Sequence, residues 1–518
     1  MSPRDMHDYL KRHYGRRGVL KGAATLGAAA VAGPALWRQR GGLAVPAIGP
    51  QWIAFGASPV SQMYVSWSAG TAAGASNPPP SPQVRWGLDA SYGNQAAADS
   101  GQVPVPSGVS GEPAENTFYN NLLLTGLSAG TPYHYSVSND GNTWGPDTTF
   151  TTAAAGLGDF TFTAFGDEAA SATTAQPMVE LAASFDPAFH LVAGDLAYAT
   201  PRGELLPTLT GFKPAQWDKY LAMAGPAGAQ SIPWMASVGA HETEPLGDNG
   251  YAGFVTRFPQ GYDSSSGSPV VHTFSYGNVA VIHLDGNDLS AQEPVNNGYT
   301  DGAQTSWLSA QLAGYRAAGS GIDFIVVVVN CCCYSTNRDH GSDDGLRAVW
   351  GPLFDSHQVD LVISGHVHAY ERTNPMINGA LTKRVASGGT VHPATDGTTY
   401  ICAGGGGNGL YKNWYGKTGA GDPGDSIAPK IWQWTGGESA TGGTGTIEDV
   451  KDPAKNYSAF RHAVWSCLVV DVTAPARAGA QTTLHVQAMM PAQTATAVTS
   501  ISNPTLMDSV TLIRTSQA

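Results

Sequence analysis

The sequence predicts a small all-β sandwich followed by a larger layered α/β domain. Three observations lead there. Short alternating runs between turn clusters occupy the region from about Trp52 to Thr152, and short, continuously apolar runs ending in polar residues recur beyond it. Only 13% of the 518 residues are charged, whereas 64 are Gly and 34 are Pro, which favours loop-rich β structure over a helical bundle. The length suits two well-packed domains, and 42% hydrophobic content suffices for sizeable cores.

The first segment is an address. Arg16 and Arg17 lie in Tyr14-Gly-Arg-Arg-Gly-Val-Leu-Lys21, ahead of an Ala- and Gly-rich run from Gly22 to about Leu36. Residues 1–46 thus read as a twin-arginine export signal, too short for the ~20 apolar residues of a membrane span. A secreted, periplasmic or envelope-associated protein is expected, with no stable membrane span once the signal is removed. Without residues 1–46 the chain keeps 19 Lys/Arg against 38 Asp/Glu, so the net charge moves from −13 to −19. So acidic a surface argues against nucleic acid or anionic membrane as the main partner. It also repels phosphate esters unless local positive charge, such as a metal ion, offsets it. The five cysteines, three of them consecutive (Cys331, Cys332, Cys333), lack CxxC spacing and read as small buried side chains.

The β-sandwich is expected over 47–152. Met63–Trp67, Gln83–Trp86 and Pro132–Val137 are its clearest strands, with loops at Pro78-Pro-Pro80 and Asn139-Asp-Gly141. Leu124-Thr-Gly-Leu-Ser-Ala-Gly-Thr-Pro-Tyr133-His-Tyr135 resembles the strand corner of fibronectin type III domains, where a Tyr hydroxyl pins the turn. A small-residue linker, Ala153 to Gly158, leads to the second domain, 158–518. Buried strands are expected at Phe160–Phe165, Phe189–Ala193, Trp234–Val238, Ile322–Val329 and Leu361–Ile363. Helices are expected at Ala175–Ser184 and Thr305–Ala318, loops at Gly404–Gly409 and Thr435–Thr446, and closing strands at Cys467–Val472 and Thr482–Val486.

The residues just past each buried strand carry the chemistry. The strand ends deliver Gly166-Asp167, Gly194-Asp195-Leu-Ala-Tyr198, Gly239-Ala240-His241-Glu242, Asn330, and Gly365-His366-Val-His368-Ala-Tyr370-Glu-Arg372. Ligands of open α/β sheets gather beyond the carboxyl ends of strands. Carboxylates and imidazoles suit Fe, Zn or Mn, and one carboxylate can bridge two ions. Glycine before four of these positions allows a sharp backbone turn.

In this order the five blocks resemble the signature of metallophosphoesterases, and Tyr198, three residues after Asp195, resembles the mark of their purple acid phosphatase branch. The resemblance implies an αββα sandwich in which Asp167, Asp195, Tyr198 and His368 bind Fe(III). Asp195 would bridge to a divalent ion (Zn, Mn or Fe) that His366 also binds. It further implies that His241 contacts the phosphoryl group or protonates the leaving group, and that His340 contacts substrate. The implied reaction is hydrolysis of a small-molecule phosphate ester by attack of metal-bound hydroxide on phosphorus.

Two blocks depart from the pattern. Ala240 stands where the family has a ligating Asn, and Asn330 where it has a His. Alanine offers no donor and the Asn330 amide oxygen is a weaker, harder ligand than imidazole, so the second site is weakened. Glu168 or Glu242 could compensate. Three other readings stay open: a one-metal phosphate-binding protein, a phosphodiesterase, phospholipase or nucleotidase of the same superfamily, and adhesion through the sandwich.

Overall fold

The computed structural model describes residues 45–70, 78–103, 117–200, 212–244, 249–293, 296–337, 339–412, 430–434, 445–449 and 457–517. The Arg16-Arg17 segment and most of the glycine-rich run 435–446 lie outside the described residues.

Two four-stranded antiparallel sheets come first. Ile48–Phe55, Met63–Ala69, Phe118–Leu124 and Asp99–Gln102 form one. Asn94–Ala97, Gln83–Gly87, Pro132–Ser138 and Thr148–Thr151 form the other. Inward residues such as Val65, Trp67, Tyr135 and Val137 are fully buried between them. The hydroxyl of Tyr133 accepts a hydrogen bond from the Ser128 N–H (2.9 Å), the turn-pinning contact expected of that corner.

Two seven-stranded mixed sheets come next, face to face. In the first, Phe160–Phe165, His190–Val192 and Trp234–Ala236 run parallel, and Cys467–Thr473, Gln481–Gln493 and Val498–Thr515 add antiparallel strands. In the second, Val279–His283, Phe324–Val329, Leu361–Ser364 and Thr399–Ala403 run parallel. The inner faces share one apolar cluster, with Phe162, Leu191 and Val486 on one side and Val281, Val328 and Ile363 on the other. Helices Ala175–Ala183 and Ala215–Ala224 cover the outside of the first sheet, and Ala303–Arg316 the outside of the second. The layers are therefore αββα. Phe324–Val329, Phe-Ile-Val-Val-Val-Val, is buried at every position, as a parallel strand covered on both faces must be. Across the layers, Arg372 makes a two-pronged pair with Asp508 (2.6 and 3.0 Å), an arrangement that fixes sheet against sheet.

The expected strands and helices are present within two residues or so at each end, except that the closing strand expected at Thr482–Val486 runs on to Gln493. Among the strands beyond those expectations are the apolar run Val279–His283, Thr399–Ala403 and the exposed-edged Val498–Thr515. The sandwich is also joined to the α/β layers more intimately than a linker implies. Phe55 packs on Phe189 and Phe274 (ring centroids 6.1 and 5.7 Å), and Trp52 on Phe258 (6.1 Å). Arg257 lies under the rings of Tyr119 and Trp217 while pairing with buried Glu244 at 3.0 Å.

His272 and His283 stack in the core at 4.2 Å, and neither ring nitrogen of His272 has a hydrogen-bond partner. Burial pushes His272 down to about 3. The neutral ring is thus the folded form, whereas the unfolded chain takes up a proton below about pH 6.5. The stability this ring confers is present above that pH and is lost as pH falls from about 6.5 toward 3. His272→Phe should lessen the acid slope of unfolding free energy by about 1.4 kcal/mol per pH unit between pH 6 and 4. Urea unfolding across that range checks this, and an unchanged slope refutes it.

Candidate metal centre

The three parallel strands of the first sheet and two of the second end at one seam, where the residues expected from the strand ends meet. The loops after Phe160–Phe165 and His190–Val192 zip together by backbone bonds: Asp167 N–H to Gly194 O (3.0 Å), Glu168 N–H to Asp195 O (3.1 Å) and Ala169 N–H to Leu196 O (2.8 Å). At these ends four of the expected ligands adopt left-handed backbone: Asp167 (φ 61°), Asp195 (56°), Tyr198 (53°) and His366 (66°). Non-glycine residues held so cost roughly 1–3 kcal/mol each and cluster at functional sites.

Glycine serves this seam differently from expectation. Of the four preceding glycines only Gly194 has positive φ (80°). The others are needed for close approach. A Cβ on Gly239 would sit 2.2 Å from Asp195 Oδ1, and one on Gly365 2.7 Å from Asp167 Oδ2. Gly404, in the expected loop, is similar at 2.5 Å from Asp167 Oδ2. The backbone itself thus walls in both carboxylates.

The first group is compact. Tyr198 Oη donates to Asp167 Oδ1 (3.0 Å) and lies 2.8 Å from His368 Nε2, which is 3.4 Å from Asp167 Oδ1. His368 Nδ1 bonds the Gly409 carbonyl (2.5 Å), which only accepts, so the proton sits on Nδ1 and the Nε2 lone pair faces the phenol. Burial lowers His368 to about 4, keeping it a neutral donor. Asp167 Oδ2 is buried with no hydrogen-bond partner. Burial, with the charge of Asp195, pushes the Asp167 carboxyl well above the usual range. A carboxylate with an orphaned oxygen, a phenol and a bare imidazole nitrogen fit a hard trivalent ion such as Fe(III).

The second group is sparser. Asp195 Oδ1 accepts the His241 N–H (2.9 Å), while Oδ2 stands 4.0 Å from His366 Nδ1. Burial opposes its charge, but His241 and His366 outweigh that and hold Asp195 well below the ordinary carboxylate range. Asn330 donates its amide to the Ala193 carbonyl (2.9 Å), leaving its buried Oδ1 without a partner. Ala240 is buried and brings no donor. Asp195, Asn330 and His366 could therefore hold a second ion with three donors. Among the described residues, no three His, Cys, Asp or Glu side chains form such a cluster by themselves. The convergence depends on the phenol of Tyr198 and the amide of Asn330.

Neither expected substitute faces this group. Glu168 accepts the Tyr220 hydroxyl (3.1 Å) in the core, where burial raises it to about 8. Glu242 spends both oxygens on the N–H groups of Asp195, Leu196 and Gly239 (2.7–2.8 Å). His241 directs Nδ1 at the Thr200 carbonyl (2.5 Å), and its ring packs against Tyr198 at 4.2 Å. His340 lies over His366 (centroids 4.2 Å), bonded to Gln292 and, at 3.3 Å, to Tyr411. Tyr411 also stacks on His368 at 4.0 Å. Gln292, Glu293 and Tyr411 are not among the residues expected from the sequence. The first two come after the strand Val279–His283, whose apolar run ending in Leu284-Asp285 was the available signal; Tyr411 had none. All five cysteines are buried thiols, Cys332 and Cys402 meeting at 2.8 Å beneath the Gly365 carbonyl.

Residues 52–152 match the purple acid phosphatase N-terminal domain, and 160–370 the calcineurin-like phosphoesterases. An uncharacterized protein of Mycobacterium tuberculosis is 32% identical over 423 residues, 75% of each chain. Purple acid phosphatase 18 of Arabidopsis thaliana is 30% identical over 37% of this chain and 40% of its own. Among solved structures, a purple acid phosphatase from yellow lupin (Lupinus luteus) seeds superposes with TM-score 0.61 at 16% identity, covering 90% of this chain and 74% of that one. PhoD superposes with TM-score 0.54 at 13% identity over 90% of each. At those identities the two structures speak to the fold.

Gly239→Ala should destabilise the protein by about 1–3 kcal/mol, because its methyl would overlap the Asp195 carboxylate. Chemical denaturation checks this, and a neutral result would show that the wall gives way.

Proposed function

Because the chain belongs to the calcineurin-like phosphoesterases of purple acid phosphatase type, a family of phosphoester hydrolases, we propose that it is an exported phosphomonoesterase using Fe(III) and a divalent ion. The observation that carries this reading is the meeting of Asp167, Asp195, Tyr198 and His366, each in left-handed backbone, at one seam with His368, His241 and His340. Asp167, Asp195, Tyr198 and His368 would hold the iron; Asp195, Asn330 and His366 would hold the divalent ion. When bound, the two ions neutralise the phosphoryl oxygens and activate water for in-line attack.

The chain's own residues do the rest. The Thr200 carbonyl holds the His241 Nδ1–H, so Nε2 has a proton for the departing oxygen only in the imidazolium form, which burial disfavours and the neighbouring Asp195 carboxylate favours. His340 is oriented by Gln292 and Tyr411 and contacts the ester beside His366. Division of the chain at the 153–158 linker and export through the Arg16-Arg17 signal belong to this reading. Among the described residues no helix is long and apolar enough to cross a membrane. A second reading, a one-metal phosphate-binding protein, is favoured by Ala240, which is buried and brings no donor to the second group.

Purified protein should carry about two metal ions per chain and release phosphate from an aryl phosphate somewhere between pH 4 and 9. Two bound ions without turnover at any pH would sink the phosphatase reading. Tyr198→Phe should abolish the visible charge-transfer band while circular dichroism is unchanged; a band that survives would remove Tyr198 from the iron shell. Ala240→Asn with Asn330→His should tighten the second ion at least about tenfold, read by chelator competition.

A further inference from the structure

The two nitrogens of His366 look in opposite directions. Nδ1 faces Asp195 Oδ2 at 4.0 Å, on the side where the second group of donors meets. Nε2 is buried, has no hydrogen-bond partner, and lies 4.0 Å from Glu293 Oε1. If Nδ1 is the ligating nitrogen, Nε2 must carry the proton, and a buried N–H without an acceptor is costly. Glu293 is the carboxylate beside that nitrogen, and a small shift of its side chain would bring it within hydrogen-bond reach. It is 7% exposed, on the far side of the ring from Asp195.

The loop holding Glu293 is built for position. Asp343 accepts the Ser290 hydroxyl (2.7 Å) and the N–H groups of Ala291 and Gln292 (3.1 Å each), while also capping the helix Asp344–Val349. The Glu293 N–H in turn bonds Ser290 Oγ (2.9 Å). Asp288, upstream in the loop, is tied to Thr300 (2.6 Å) and Gln304 (3.0 Å). The backbone that carries Glu293 is thus held by backbone and hydroxyl bonds, which keeps its side chain beside His366.

We propose that Glu293 is a positioning residue of the second metal site, accepting the Nε2–H of His366 and so strengthening Nδ1 as a donor to the divalent ion. A carboxylate behind a ligating imidazole fixes its tautomer and raises its basicity, and loss of such a partner typically weakens metal binding 10–100-fold. Here it offsets the poverty left by Ala240 and Asn330, because fewer donors make the strength of each remaining one count for more. The inference rests on the two-metal reading above.

The experiment compares wild type, Glu293→Ala and Glu293→Gln as iron-loaded full-length proteins. Zn2+ affinity is measured by chelator competition, and His366 protonation by NMR of 15N-histidine-labelled protein refilled with diamagnetic ions (Ga3+ and Zn2+). Expected are a zinc Kd raised about 10–100-fold in Glu293→Ala and less in Glu293→Gln, whose amide oxygen still accepts, with the trivalent ion retained. His366 Nε2 should be protonated in wild type. An unchanged Kd in Glu293→Ala would overturn the proposal and leave the two-metal reading standing. A proton-free Nε2 would overturn it by making Glu293 or that nitrogen a direct ligand. Wild type that binds no second ion overturns both. Two bound ions without phosphatase activity would remove only the phosphatase reading.

Discussion

The seam gathers negative charge where water cannot reach. Asp167, Glu168, Asp195 and Glu242 are each 2% exposed or less and lie in adjoining strand-end loops. Carboxylates buried together are tolerable only if each is satisfied separately. Glu242 is satisfied by three backbone N–H groups, whereas burial pushes Glu168 up to about 8, with one oxygen on the Tyr220 hydroxyl and the other without a partner. Asp195 leans on His241 and His366. Asp167 keeps an oxygen with no partner, and it is this unsettled remainder that cations would settle.

The layers exist, in physical terms, to hold that arrangement against its own repulsion. Short parallel strands, buried where they end, bring the loops to one line, and glycines at 239, 365 and 404 let backbone close over the carboxylates. The Arg372–Asp508 pair and the shared apolar cluster keep the two sheets from sliding. The sandwich adds bulk on the first sheet's side through Trp52, Phe55 and Tyr119, whose ring lies against Arg257 of the second domain. Strain at Asp167, Asp195, Tyr198 and His366 persists because so much packing surrounds it.

Legibility tracked the range of the signal. Continuous apolar runs such as Phe-Ile-Val-Val-Val-Val announce buried strands because β-branched residues covered on both faces leave no other pattern. The metal-directed residues were readable because each sits within a few positions of such a run. Val279–His283 has the same pattern but is short and was not among the expected strands, and Gln292 and Glu293 went with it. Tyr411 lies in a stretch without periodicity and reaches His368 and His340 only through the folded loop. The glycines were recognised, but their reason was misjudged: three of four have no positive φ, and at Gly239 and Gly365 it is a neighbouring carboxylate that excludes a side chain.

By itself, the sequence determined the order of strand ends, the chemistry each delivers and the two blocks where a donor is lost, because these are local properties of composition and spacing. Only the tertiary structure decided that the five ends are shared between two sheets and meet at their seam. It also decided that Glu168 and Glu242 are turned to other partners, and that Glu293 stands behind His366. Those outcomes depend on which residues distant in the chain come within a few ångströms, and a short-range pattern holds no such distances.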